Sequence, residues 1–319
     1  MVSLRNILAG SVFAIGTLAA SLSKRDVNPG PVSGDTFIHD PTVVKKPDGT
    51  YLAAFTANGI GLKTSTDRTT WRDVGAAFPN GAPWTTTYTK GDLNLWAPDL
   101  SYHNGQYYMY YSASSFGGSR SAIFLAVSKT GASGSWTDYG RVIESFDNSN
   151  FNAIDPNLYV ASDGKWWLAF GSFWGGLKLV ELNPSTGKPI NANNLISIAA
   201  RPNNGGAIEA PVITKHGNYF YLWAAFDSCC KGVDSTYRTM VGRSSSITGP
   251  YVDKAGVSMV NGGGTQLLAS HGNIHGPGHP AVFTDTDADV LVYHYYNANG
   301  DARLGINLIR YDNGWPTVY

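Results

Sequence analysis

The sequence predicts an all-β fold, a five-bladed β-propeller with four antiparallel strands per blade, and three observations carry that expectation. First, one proline-led pattern recurs five times: His39-Asp40-Pro41, Trp96-Ala97-Pro98, Ile154-Asp155-Pro156, Glu209-Ala210-Pro211 and Gly278-His279-Pro280. These prolines stand 57, 58, 55 and 69 residues apart, a period that marks a propeller, a solenoid or an array. Second, each proline leads into a β-rich run, a turn and another β-rich run. Asp48-Gly49, Asn104-Gly105, Asp163-Gly164 and His216-Gly217 mark four of these turns, and a polar stretch from Asp285 to Asp289 marks the fifth. Asp-Gly and Asn-Gly readily supply the positive φ that tight hairpin turns need. Third, 37 Gly, 13% aromatic residues and 14% charged residues suit a turn-rich all-β body. No 3.6-residue apolar periodicity is sustained beyond the N-terminus. A solenoid is the weaker alternative, because its repeats run to about 20–45 residues.

Taken in order, residues 1–23 read as a secretory signal peptide: Arg5, an apolar run from Ile7 to Ala20, then small residues. Lys24-Arg25 reads as a dibasic processing site, leaving residues 26–319 as one propeller domain. Blade one is expected over residues 36–75, with a third strand at 61–66 and a fourth from Trp71. The corresponding outer strands are expected at 122–128 and from Trp136 in blade two, and at 176–182 in blade three. Blade four has 237–244 and then 249–252, and blade five has 305–311 and then Trp315. With the last blade ending at Tyr319, no further domain is expected to block a cleft on the propeller face.

The formal net charge is +0 without a basic stripe, which argues against nucleic acid as a partner, and no membrane span is expected. A secreted monomer is the expected form. No Asn-X-Ser/Thr acceptor with X other than Pro occurs, so N-glycosylation is not expected. The two cysteines, Cys229 and Cys230, are neighbours, and in an oxidising compartment we expect them to pair rather than remain free thiols.

A propeller lines its central channel with the first strand of each blade, so the residues before the five prolines should converge. Asp40, Ala97, Asp155, Ala210 and His279 directly precede the prolines, and Glu209 stands one residue earlier. An Asp before Pro often only caps a turn. Turn capping does not require acids at equivalent repeat positions in apolar surroundings, where a carboxylate is costly unless paired or functional. Three acids in an aromatic-rich cleft point to glycoside hydrolysis, with one carboxylic acid protonating the leaving oxygen and one carboxylate acting at the anomeric side. Glu209, flanked by Ile208, Ala210 and Pro211, suits the acid; Asp40 suits the base; Asp155 would raise the pKa of Glu209 by like-charge repulsion.

These motifs resemble glycoside hydrolase family 43, and within it the endo-α-1,5-L-arabinanases, over residues 36–319. The resemblance implies Asp40 as general base, Asp155 as modulator of the acid, Glu209 as general acid, and inversion at the anomeric carbon. Inversion requires carboxyl groups about 6.5–9.5 Å apart. It also implies substrate contacts at Gly117, Asn152, Ala153, Ile154, Ser172, Phe173 and Trp174, with Trp96 as a stacking platform. Core packing is the other reading of Trp96 and Trp174. It further implies a cation, usually calcium, near His279 and held largely through water, with no organic cofactor. A zinc site from His271, His275 and His279 would need a helix, which Gly272, Gly276, Pro277 and Gly278 exclude. The remaining histidines, His39 among them, read as hydrogen-bonding or surface groups. The expected activity is endo-hydrolysis of α-1,5-L-arabinofuranosidic bonds in pectic arabinan, with arabinan and arabino-oligosaccharides as partners. The alternatives are an exo-acting α-L-arabinofuranosidase or β-xylosidase of the same family, or a non-catalytic carbohydrate-binding propeller (lectin). The last is disfavoured because the five convergent positions differ.

Overall fold

Each proline-led segment forms the innermost strand of its own antiparallel sheet in the computed structural model, which describes residues 26–319. The expected leader and the Lys24-Arg25 site lie outside those residues. Blade one is built from Thr42–Lys45, Tyr51–Phe55, Gly61–Ser65 and Thr70–Ala76. Blade two uses Asn94–His103, Gln106–Ala113, Ser121–Ser128 and Thr137–Ser145. Blade three opens with Asn157–Val160, Trp166–Phe170 and Leu177–Asn183. Blade four uses Ile208–His216, Tyr219–Phe226, Arg238–Ser244 and Thr265–Leu268, and blade five His275–Thr284, Asp289–Tyr296, Ala302–Asp312 and Trp315–Val318. The five-bladed expectation therefore holds. Among the described residues no helix is long and apolar enough to cross a membrane.

Two outer edges depart from the expected pattern. Residues 249–252 do not form the fourth strand of blade four: Val252 makes single bridges to Arg243 and Ser258, and Thr265–Leu268 takes the edge beside Thr239–Val241. Pro250 has no N–H to donate to a ladder, so the chain leaves the sheet and returns later. In blade three the outer edge is likewise divided between Lys188–Pro189 and Ile196–Ala199, both paired with Leu177–Asn183.

Among the described residues the large apolar clusters are wedges, one between each pair of neighbouring blades. Leu52, Leu62 and Phe78 of blade one meet Tyr107, Tyr111 and Phe124 of blade two, and equivalent clusters follow around the ring. The last wedge joins blade five to blade one through Val43, Tyr51 and Trp71 against Val290, Val292 and Leu304. Polar contacts reinforce the hub. The residue after each of the first three prolines accepts a backbone N–H from the next blade. Thr42 takes Leu100 at 3.2 Å, Asp99 takes Leu158 at 2.8 Å, and Asn157 takes Ile213 at 2.8 Å. Val212 and Ala281 hold the same place in blades four and five and offer no acceptor.

Closure of the ring relies on other devices. The segment entering blade one first runs along blade five: the Gly30 N–H donates to Ile306 at 2.8 Å, and the Leu304 N–H donates to Thr36 at 2.9 Å. Ser33–Gly34 then pairs parallel with the outer strand of blade one. Across the same interface the Asp285 carboxylate of blade five, whose side chain is 1% exposed, meets three donors of blade one. These are the Lys45 ammonium, Tyr51 Oη at 2.6 Å and Arg68 Nη1 at 2.7 Å. Burial alone would raise Asp285, but these donors outweigh it and hold the carboxyl well below its ordinary range. Asp285→Asn should cost about 2–3 kcal/mol, less than for an enclosed pair because Lys45 and Arg68 stay 27% and 17% exposed. Calorimetry should show Tm roughly 4–8 °C lower. Because the folded-state pKa is depressed, this stabilisation is present above pH about 4 and lost as pH falls further, so the deficit of the variant should shrink in acid.

Candidate active site

The site is set by a backbone feature repeated in every blade. All five residues before the prolines have positive φ: Asp40 49°, Ala97 45°, Asp155 57°, Ala210 53° and His279 53°. Left-handed backbone at a residue with a side chain is strained and persists only where its surroundings enforce it. At Asp40, Ala97, Asp155 and Ala210 the enforcement is a hydrogen bond from the pre-proline N–H to a side chain of the preceding blade. Ala97 donates to Thr56 Oγ1 at 2.8 Å, Asp155 to Ser112 Oγ at 3.0 Å, and Asp40 to His294 Nδ1 at 3.1 Å. Thr56, Ser112 and His294 occupy one equivalent place, opposite the residue two before the proline. In blade three that place is Gly171, at φ 131°, where a Cβ would meet the Gly176 carbonyl oxygen at 2.8 Å. With no side chain there, the Ala210 N–H donates to Asp155 Oδ2 at 3.1 Å instead. One carboxylate thereby fixes the backbone beside Glu209.

The side chains at three of the pre-proline positions, Asp40, Asp155 and His279, open onto a cavity of about 670 Å³ that draws lining from all five blades. Asp40, Asp155, Glu209 and His279 all line it, so residues up to 239 positions apart in sequence meet in one cleft. Trp96, Gly117, Asn152, Ile154, Ser172, Phe173 and Trp174 line it too. Trp174 is 44% exposed, so its packing into the core is ruled out. Phe173 and Trp174 carry consecutive positive φ values of 53° and 41°, held by the Phe173 N–H donating to Ile208 at 2.9 Å. Ala153 departs from expectation: it is 0% exposed, does not line the cavity, and its N–H donates to Ser145 Oγ at 2.9 Å. It anchors the segment before Asp155 and presents nothing to a ligand.

Asp40 is surrounded by imidazoles. Its Oδ2 accepts from Thr56 Oγ1 at 2.6 Å and lies 2.9 Å from His39 Nδ1, a charge contact rather than an aligned hydrogen bond. Its Oδ1 is 3.2 Å from His279 Nδ1 and 3.5 Å from His294 Nδ1. Burial would raise this carboxyl, but the contact with His39 above all outweighs it and holds Asp40 well below the usual range, so it is ionised. His294 is buried, accepts the Asp40 N–H on Nδ1, leaves Nε2 without a partner, and is kept neutral by desolvation. His39 stacks on it at 4.1 Å and reaches Tyr296 Oη at 2.8 Å.

Glu209 has the opposite character. It is buried, its Oε2 accepts from Ser172 Oγ at 2.5 Å, and the loss of water pushes its pKa up to about 7. Asp155 is pushed well above the carboxylate range by burial and then by the Glu209 charge. Two enclosed acids so close together retain a proton between them near neutrality. The cleft therefore holds one firmly ionised carboxylate and one carboxyl group able to donate a proton.

His279 lines both this cleft and a small void of about 10 Å³ behind it, where Pro41, Pro98, Pro156, Pro211 and Pro280 gather around the channel. Its Nδ1 faces Asp40, which favours the tautomer with Nε2 bare, and burial lowers its pKa so that the ring is neutral. A neutral imidazole oriented by a carboxylate is the state in which histidine holds a metal ion. Asp99 and Asp155 also line the void, but both Asp99 oxygens already accept N–H groups of Asn157 and Leu158, so a hard cation at His279 would be held largely through water.

A family model described as "Glycosyl hydrolases family 43" matches residues 31–316. The chain belongs to glycosyl hydrolase family 43. Among relatives of this family 43 enzyme, the extracellular endo-α-(1→5)-L-arabinanase 1 of Bacillus subtilis (strain 168) is 44% identical over 315 residues, covering 96% of each chain. The extracellular exo-α-(1→5)-L-arabinofuranosidase of Cellvibrio japonicus (strain Ueda107) is 40% identical over 299 residues, covering 88% of this chain and 86% of that one. The solved structure of a GH43 endo-arabinanase from Bacillus licheniformis superposes with a TM-score of 0.85 at 48% identity, covering 90% of this chain and 99% of that one.

Several residues that shape this family 43 site were not singled out from the sequence. His39, read as a surface or hydrogen-bonding group, contacts Asp40 directly. His294 carried no motif; its signal is positional, since it matches Thr56 and Ser112 near the ends of second strands. Phe116 is 87% exposed and lines the cleft beside Gly117.

Proposed function

We propose that this glycoside hydrolase is a secreted, monomeric endo-α-1,5-L-arabinanase that inverts the anomeric centre. The observation that carries the reading is one cleft holding Asp40, in contact with Thr56, His39 and His279, together with a buried Glu209 bonded to Ser172, an arrangement that keeps Asp40 low and raises Glu209 to about 7. In this reading Asp40 takes a proton from the attacking water, and Glu209, steadied by Ser172, gives its proton to the departing O5 of the next arabinose. Asp155 fixes the backbone at Ala210 and shares one proton with Glu209. Asn152 Oδ1, buried without a partner, is free to accept a sugar hydroxyl, and Trp96 and Trp174 offer ring faces. The endo-acting relative and the extracellular relatives favour arabinan as substrate and export as the route. A hard divalent cation held by His279, largely through water, would add positive charge behind the carboxylates.

The exo-acting relative favours a second reading, release of arabinose or short products from chain ends. Product analysis on linear arabinan separates the two, with xylan and aryl-arabinoside controls. Endo cutting gives a rapid fall in viscosity and a ladder of oligosaccharides; a single short product from the first minute onward would support the exo reading.

The pH profile tests the roles. Glu209 must be protonated, so kcat/KM should fall as pH rises through about 7, and Asp40 should stay ionised well into acid. Asp155→Asn removes one of the two buried acids that share a proton, so Glu209 no longer has to lose its proton against a second carboxyl group. Its alkaline limb should move down by about one pH unit, and kcat should fall about 10²–10³-fold. A limb that stays in place would argue against Asp155 acting through charge.

A further inference from the structure

The neighbours Cys229 and Cys230 are joined by a disulfide, and both line the cleft together with Ser228 and Lys231. A bridge between adjacent residues closes no loop beyond itself, so it removes little entropy from the unfolded chain and is a poor staple. The loop that carries it is already held by other means. Thr236 N–H donates to the Ser228 carbonyl at 2.9 Å, Lys231 N–H to Ser235 Oγ at 2.9 Å, and Cys230 N–H to Tyr296 Oη at 3.1 Å. Asp227, just before it, pairs with Arg201 at 2.6 Å and Arg238 at 2.7 Å.

Its position points elsewhere. Cys229 packs against Ala210, Ala225 and Tyr237, beside the acid Glu209. Cys230 Sγ lies 3.8 Å from His39 Nε2, beside the base Asp40. The bridge thus runs along the cleft wall between the neighbours of both catalytic groups. Disulfide sulfur is polarisable and apolar and brings no N–H or O–H donor, and ring closure holds both side chains in one place.

We propose that the Cys229–Cys230 disulfide is a substrate-contact surface, a fixed apolar wall on which the C–H face of the sugar ring at the catalytic centre rests. It rests on the arabinan reading, and its ligand class is a linear pentofuranoside. Binding of linear arabinohexaose is measured by calorimetry to Glu209→Gln, with and without Cys229→Ala/Cys230→Ala. Losing roughly 50 Å² of apolar contact corresponds to a Kd about tenfold higher. Tm should change by no more than about 2 °C. In a second measurement that needs no cysteine variant, saturating hexaose should slow phosphine reduction of the bridge in Glu209→Gln by about tenfold, followed by alkylation and mass. An unchanged Kd, or reduction equally fast with and without hexaose, overturns the wall. Wild-type hydrolysis of linear arabinan is assayed in parallel. Its absence overturns the arabinan reading itself, whereas full hydrolysis with an unchanged Kd overturns the wall alone.

Discussion

Glu209→Gln is expected to lower kcat on linear arabinan by about 10⁴-fold while leaving KM and Tm close to wild type. The substitution keeps the shape and the contact with Ser172 Oγ, so the fold has little to lose. What disappears is a transferable proton. The arabinan leaving group is a sugar alcohol, which departs poorly as an alkoxide, so the whole contribution of the acid is forfeited. A p-nitrophenyl arabinofuranoside needs almost no protonation to leave, and on it the same variant should lose only about 10²-fold or less. The alkaline limb of the profile should vanish, because the group that titrates at about 7 is gone. An equal loss on both substrates would mean that Glu209 is not the proton donor.

Asp40→Asn is expected to lower kcat about 10⁴-fold on both substrates alike, because attack by water is needed whatever the leaving group. The asparagine still presents an oxygen to Thr56, and the backbone clasp to His294 is untouched. The three imidazoles lose their shared anion, so a modest change in Tm is expected, measured by calorimetry. Azide supplied in solution needs no base and should restore turnover of the aryl substrate, giving a glycosyl azide of inverted configuration. Retention of more than a few per cent of wild-type activity on arabinan would remove Asp40 from the role of base.

Much of this site was legible because a propeller converts sequence period into spatial convergence. The proline spacing alone brought Asp40, Asp155, Glu209 and His279 together, and the cleft bears out that convergence. What escaped depends on pairing across strands and blades. His294 matters because it lies opposite Gly278 and thereby reaches the Asp40 amide of the first blade. A single sequence states neither that register nor which blade closes on which. The same holds for Asp285, whose partners Lys45, Tyr51 and Arg68 are 217 to 240 residues away. Ala153 was expected in the cleft because the family resemblance covers the segment from Asn152 to Asp155, yet its methyl is buried in the core. The divided outer edges of blades three and four were hidden because short edge strands carry little periodicity.

The measurement that bears most directly on the shared work of Asp40 and Glu209 is proton NMR of the first reducing ends released from linear arabinan, recorded before mutarotation. A water activated by Asp40 and a proton supplied by Glu209 require the β-anomer to appear first. Initial release of the α-anomer would show a covalent glycosyl intermediate and contradict the assigned roles.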